Sequence, residues 1–281
     1  MNSLKCVVFN MYFKCDIGEY WYEVHGQGEP VVLLHGFTGD GRTWETVVRK
    51  WKNSCKFIII DLPGHGKTNV LNRTMEECCY DIKAILDMLS LEKVHMCGYS
   101  MGGRTALSFS VCHPEYIQSL VLESASPGLR DAKERVERIR KDKSLIRMIE
   151  QDGLDRFVDY WENIPLFASQ NNLPAEKKQT IRCIRRSQSV DGLASSLAYM
   201  GTGEQPSWWN DLSTFKKPVL LLAGEYDTKY TTLNQAMQQA FVHSEFSIIK
   251  HAGHAIHVEQ PTIFGETVME FIFRSVKNVD N

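Results

Sequence analysis

Residues 98–103 read GYSMGG and are followed at once by Arg104. The stretch satisfies G-x-S-x-G and begins where the apolar run VHMC (94–97) ends. A serine in a sharp strand-to-helix turn needs glycines beside it, because side chains there would collide with neighbouring backbone. Such a turn holds the Ser100 hydroxyl clear of the sheet, and the N-terminus of the following helix favours negative charge beside it. The motif therefore predicts a strand before Ser100, a helix after it, and a reactive hydroxyl between them.

The surrounding sequence fits that junction into an α/β pattern. Short unbroken apolar runs recur at VVLLH (31–35), KFIIID (56–61), VHMC, SLVLES (119–124), VLLLAG (219–224) and FSIIK (246–250). Runs of this length and composition suit strands buried on both faces of a parallel sheet. MYFKC (11–15) and YWYEV (20–24) alternate instead, with Gly18 between them, which predicts an antiparallel hairpin. Ile82, Ile85, Leu86 and Leu89 fall at i, i+3, i+4 and i+7, so 76–90 reads as a crossover helix with one apolar face. From 125 to 213 the strand signal disappears in favour of charged helical sequence broken at Pro165. No repeat, low-complexity tract or flexible linker sets that segment apart. The expectation is one α/β domain over 1–281, with a mostly parallel central sheet flanked by helices and a helical cap insertion at about 125–213.

Composition narrows the setting. The chain has 281 residues, 43% hydrophobic and 23% charged, enough to bury one large core. A net charge of -2 gives no electrostatic reason to expect a nucleic-acid partner. The N-terminal MNSLKCVVFNMYF is interrupted by Asn10 and lacks a small-residue cleavage site, so no signal peptide is expected. The apolar runs are far shorter than the ~20 residues of a membrane span, so a cytoplasmic protein without a membrane span is expected. Eight scattered cysteines with no C-x-x-C pair are expected to be reduced. The sequence is silent on oligomeric state.

A serine hydroxyl needs a histidine to take its proton, and the histidine needs an acid to fix its tautomer. Asp227 follows the strand VLLLAG and His254 follows FSIIK, giving the order Ser100, Asp227, His254 of the α/β-hydrolases. All three fall at carboxyl ends of strands, where open α/β sheets collect their reacting groups. Glu225 competes as the acid from nearer the strand end, and Asp227 is preferred. His251, His254 and His257 are spaced by three but lack an accompanying metal-site motif, so no metal is implied. HGFTG (35–39) follows the first buried strand, where this fold draws one oxyanion donor, here the Phe37 N–H; Met101 supplies the other. DLPGHGKT (61–68) has Asp61 where a phosphate loop needs glycine, and HGQGEP (25–30) lacks the third glycine of a dinucleotide site. No cofactor is implied.

Arg104 stands four residues after Ser100, one helical turn along the same face. Within the insertion, 130–147 carries eight basic residues against four acidic ones, and 177–186 carries five basic residues and no acid. A basic cover over a serine site suggests an anionic ligand. VLESASPGL (121–129), YWENIPLFASQ (160–170), MGTGEQPSWW (200–209), LLAGEYDTKY (221–230) and GYSMGGR together resemble the 2-succinyl-6-hydroxy-2,4-cyclohexadiene-1-carboxylate synthases of menaquinone biosynthesis, over about 17–275. The resemblance implies a lyase that removes a proton and expels pyruvate from a small polycarboxylate, with Ser100 as the base activated by His254 and Asp227. It assigns substrate contacts to Tyr99, Arg104, Trp161 and Arg186, with Lys143 near a further family arginine. Lysine there would lack the planar fork of arginine. Two other readings remain open: a serine hydrolase of an ester or carbon–carbon bond, and a non-catalytic ligand-binding relative.

Overall fold

A computed structural model of the chain describes residues 9–277. Its strands are β1 (Phe9–Cys15), β2 (Gly18–Gly26), β3 (Glu29–Leu34), β4 (Cys55–Ile60), β5 (Val94–Tyr99), β6 (Ile117–Glu123), β7 (Val219–Gly224) and β8 (Ser244–Ile249). They form one sheet in the order β1-β2-β4-β3-β5-β6-β7-β8. β1 and β2 make the expected hairpin, and β2 also runs antiparallel to β4. Every pairing from β4 across to β8 is parallel.

Among the described residues the α-helices are α1 (Glu45–Trp51), α2 (Met75–Met88), α3 (Met101–Cys112), α4 (Ala132–Arg147), α5 (Leu154–Trp161), α6 (Ala175–Arg186), α7 (Val190–Met200), α8 (Thr228–Ala240), α9 (Ile256–Glu259) and α10 (Pro261–Lys277). The apolar runs are unbroken because helices cover both faces of the sheet. Val32, Leu34, Ile58 and Ile60 enter a core shared with α2 and α3. Their neighbours Val31, Leu33, Phe57 and Ile59 enter the opposite core, shared with α1 and α10. Successive strand side chains point to opposite faces, so double coverage demands an apolar residue at every position. At the start of α2, Thr74 Oγ1 accepts the Glu77 N–H and the Glu77 carboxylate accepts the Thr74 N–H. This capping box starts the helix one residue earlier than the apolar stripe alone suggests.

Between β6 and β7 the chain adds α4, α5, α6 and α7 and no strand. Pro165 opens a 3-10 stretch, Pro165–Asn172, between α5 and α6, which accounts for the break read at that residue. The added helices enclose a small core of Ile149, Phe157, Val158, Leu193 and Leu197. Phe37, from the loop after β3, packs against that core and joins it to the carboxyl end of the sheet.

The seven cysteines among the described residues are free thiols. Cys6 and most of the N-terminal stretch read for a leader lie outside the described residues. No described helix is long and apolar enough to cross a membrane.

Candidate active site

Ser100 joins β5 to α3 with φ 51° and ψ -107°. A residue with a Cβ adopts that backbone only where its surroundings compel it. The compulsion is visible in the glycines: a Cβ on Gly98 would lie 2.2 Å from the Gly102 carbonyl oxygen, and one on Gly102 would lie 2.2 Å from that of Leu34. The Ser100 N–H donates to the Glu123 carbonyl at 2.8 Å, and the Ser100 carbonyl accepts the Arg104 N–H at 2.9 Å. The elbow is thereby tied to β6 on one side and to the first turn of α3 on the other.

His254 Nε2 lies 3.0 Å from Ser100 Oγ, and His254 Nδ1 lies 2.7 Å from Asp227 Oδ2. An ionised carboxylate can only accept, so Nδ1 carries a proton and Nε2 is left to face the hydroxyl. His254 and Asp227 are buried, which keeps water from competing for these bonds. Asp227 also caps α8, its Oδ1 accepting the Tyr230 N–H. Glu225 is exposed and accepts the His251 N–H instead, so the structure sets Asp227 and not Glu225 against the imidazole. The three histidines do not converge: His251 is exposed, and His257 bonds to the Glu123 carboxylate.

Ser100 opens into a cavity of about 600 Å³, into which Phe37 and Met101 also project. Phe37 is presented by a tight turn in which the Gly39 N–H donates to the Gly36 carbonyl, and Met101 is the first residue of α3. Tyr99 and Trp161 line the same space. Burial raises the Tyr99 phenol well above its usual range, with the Glu123 charge adding to it. Trp161 Nε1 is a buried donor without an acceptor among the described residues.

Four cationic side chains share the wall: Arg104, Arg138, Lys141 and Lys229. The acid among them, Asp142, accepts from Arg138 Nε at 2.9 and 3.0 Å. Burial pushes the Asp142 carboxyl up, against the pull of Arg138. Arg104 is buried and donates through Nη1 to the Met200 carbonyl at 2.8 Å and to Gln205 Oε1 at 2.7 Å. Burial, helped by Arg138, brings its pKa down to about 10. Lys229 is likewise lowered, first by burial and then by Arg138.

Two expected contacts are corrected. Lys143 is exposed and does not line the cavity. Arg138, Lys141, Leu145 and Met148 line it, a stripe at i, i+3, i+7 and i+10, and Lys143 lies on another side of α4. Arg186 is half-exposed and forms a fork with Asp155, Nε at 2.6 Å and Nη2 at 2.9 Å. Its neighbour Arg185 is the buried one, lying over the Phe167 ring at 4.8 Å. Arg185 lines a smaller cavity that shares Phe37, Tyr99 and Phe167 with the main one. The stripe on α4 could have exposed Arg138 and Lys141 in the sequence; Lys229 has no comparable local signal.

A family model described as the alpha/beta hydrolase fold matches residues 29–261. A Bacillus subtilis (strain 168) protein provisionally named 2-succinyl-6-hydroxy-2,4-cyclohexadiene-1-carboxylate synthase is 45% identical over 248 residues, 87% of this chain and 90% of that protein. A Salmonella heidelberg (strain SL476) protein named 2-succinyl-6-hydroxy-2,4-cyclohexadiene-1-carboxylate synthase is 31% identical over 242 residues, 84% of this chain and 92% of that protein. Among solved structures, MenH from S. aureus matches with a TM-score of 0.87 at 34% identity, covering 90% of this chain and 98% of that one. A malate-bound thermophilic esterase from Thermogutta terrifontis matches with a TM-score of 0.84 at 25% identity, covering 95% and 99%. With an elbow serine facing a basic cavity beneath the added helices, and with relatives matched over most of their length, the chain belongs to the 2-succinyl-6-hydroxy-2,4-cyclohexadiene-1-carboxylate synthase family of the alpha/beta hydrolase fold.

Proposed function

We propose that this protein is a carbon–oxygen lyase that converts 2-succinyl-5-enolpyruvyl-6-hydroxy-3-cyclohexene-1-carboxylate into 2-succinyl-6-hydroxy-2,4-cyclohexadiene-1-carboxylate and pyruvate. The observation that carries the reading is the Ser100–His254–Asp227 chain of hydrogen bonds at the floor of a cavity walled by Arg104, Arg138, Lys141 and Lys229. The substrate has three carboxylates, and such a wall offsets their charge where water is scarce.

Ser100 Oγ, its proton drawn to His254 Nε2, takes the proton from the ring carbon that bears the succinyl group. The electron pair left there is delocalised onto the succinyl carbonyl oxygen, where the Phe37 and Met101 N–H groups face the developing charge. As the carbonyl re-forms, the ring double bond moves and the bond to the enolpyruvyl oxygen breaks. The departing enolate takes up a proton and becomes pyruvate, so no water is consumed. Tyr99, Trp161 and Arg185 flank the ring, and α4 to α7 act as a cap on a single hydrolase-fold body. An elbow of this geometry equally suits an acyl-enzyme, which keeps ester hydrolysis as the second reading.

The test is pyruvate release from the named substrate. Parent protein should turn over with no serine-linked fragment by mass spectrometry, and Ser100→Ala should lose activity by orders of magnitude. Full activity in Ser100→Ala, or a covalent acyl-serine that accumulates with uptake of solvent oxygen, would overturn the lyase reading.

A further inference from the structure

A second chain of acid, imidazole and hydroxyl runs behind Tyr99, and no step of the proposed reaction uses it. Glu123 ends β6 and is fully buried. Its Oε1 accepts the His257 backbone N–H at 3.0 Å, and the His257 ring Nδ1 lies 2.9 Å from both carboxylate oxygens. His257 Nε2 lies 2.8 Å from Thr43 Oγ1. The carboxylate can only accept, so Nδ1 donates, and the hydroxyl satisfies Nε2. The imidazole packs against Trp44 at 4.5 Å and Tyr99 at 4.6 Å between ring centroids. Tyr99 in turn stands 5.4 Å from the His254 ring.

The three residues come from the three segments that carry the reacting groups. The Glu123 carbonyl holds the Ser100 N–H. His257 follows His254 by three residues. Thr43 lies in the 3-10 turn Gly41–Trp44, just beyond the loop that presents Phe37. Each segment has its own local anchors: Glu259, for one, accepts the Gly253 and Ala255 N–H groups on either side of His254 at 2.8 and 3.3 Å. Such anchors shape one segment but do not set its distance from the others. We propose that Glu123, His257 and Thr43 are positioning residues, a buried relay that holds the serine elbow, the His254 loop and the Phe37 loop in mutual register. Charge-assisted hydrogen bonds out of contact with water are directional and stiff, which suits them to fixing distances.

The inference rests on Ser100 being the reacting hydroxyl, and two readouts separate it from the lyase reading. One is kcat and KM for pyruvate release; the other is the rate at which a small fluorophosphonate labels Ser100, which needs no carboxylate pocket. Thr43→Val keeps the shape of the side chain and removes the hydroxyl, while Thr43→Ser restores it. Thr43→Val should lower kcat and the labelling rate by about 10-fold each, since small displacements of reacting groups cost one to two orders of magnitude. KM should stay within about two-fold, and Thr43→Ser should recover most of both losses. His257→Phe, shown to be folded by its melting temperature, should be slower still, and adding Thr43→Val to it should cost little more because the two act through one chain. Unchanged kcat and labelling in Thr43→Val, a loss confined to KM, or a failure of serine to rescue would overturn the relay. A parent protein that is labelled but releases no pyruvate sinks the lyase reading and leaves the labelling rates to decide the relay. A parent that does neither overturns both.

Discussion

At Arg104 a buried guanidinium meets two neutral acceptors, Met200 O and Gln205 Oε1, and no described carboxylate forms an ion pair with it. Burial draws its pKa to about 10, so it remains charged at neutral pH, while the nearby Asp142 carboxyl is engaged by Arg138. Such a cation is costly to bury until a ligand brings negative charge. Arg104→Met should therefore lower kcat/KM for pyruvate release by about 10- to 100-fold, the equivalent of one charge-assisted hydrogen bond. Lysine should rescue in part, because it keeps the charge but not the planar fork. Hydrolysis of a neutral ester, if the protein shows any, should be far less affected. Equal slowing of both reactions would make Arg104 a structural residue. Its place beside the serine was legible because α3 starts at the elbow and i+4 is a geometric certainty within a helix. The Gln205 acceptor was not, since it arrives from a distant segment.

At the scale of an element, α4 decides which of its many cations matter. Arg138 and Lys141 line the cavity and Lys143 does not. Replacing Arg138 alone would strand the buried Asp142, so the clean test removes both partners of that pair. Arg138→Met with Asp142→Asn should lower kcat/KM by about 10-fold with a modest change in stability. Lys143→Met should change kcat/KM by less than about two-fold, because an exposed lysine on another side of the helix interacts through water. Comparable losses in both variants would show long-range charge at work in place of contact. Composition alone marked 130–147 as basic, but the seven basic residues distributed around α4 face every direction.

For the molecule as a whole, buried neutral histidines couple stability to pH. His65 is buried, Nδ1 facing the Pro63 carbonyl at 3.0 Å and Nε2 accepting the Thr38 N–H at 3.2 Å, so the neutral ring is fully satisfied. Burial lowers its pKa to about 3, with His35 adding to the shift, and burial lowers that of His95 to about 4. Both folded values lie below the unfolded value of about 6.5, so the unfolded chain binds more protons between these limits. Their stabilisation is complete above pH 6.5 and declines as pH falls toward 4 and then 3. The slope approaches about 1.4 kcal/mol per pH unit for each group. Urea unfolding should show stability falling between pH 6.5 and 5, before most carboxylates titrate. His95→Gln, remote from the serine, should make that fall shallower by about one proton. A flat profile from pH 7 to 5 would contradict this account.

What the sequence by itself determined is local in origin. The alternation of side chains along a doubly covered strand wrote the apolar runs at 31–35, 56–61 and 219–224. Steric demand at the elbow wrote the glycines around Ser100, and chain order then pointed to Asp227 and His254. The tertiary structure alone decided among neighbours: Arg185 over Arg186, Arg138 and Lys141 over Lys143. It alone brought Glu123, His257 and Thr43 into one chain of bonds. The physical reason is that a helix turns about 100° per residue. A one-residue difference that sequence pattern barely registers therefore sends a side chain into a cavity or out to solvent. Which direction is inward is set by segments that lie far away along the chain.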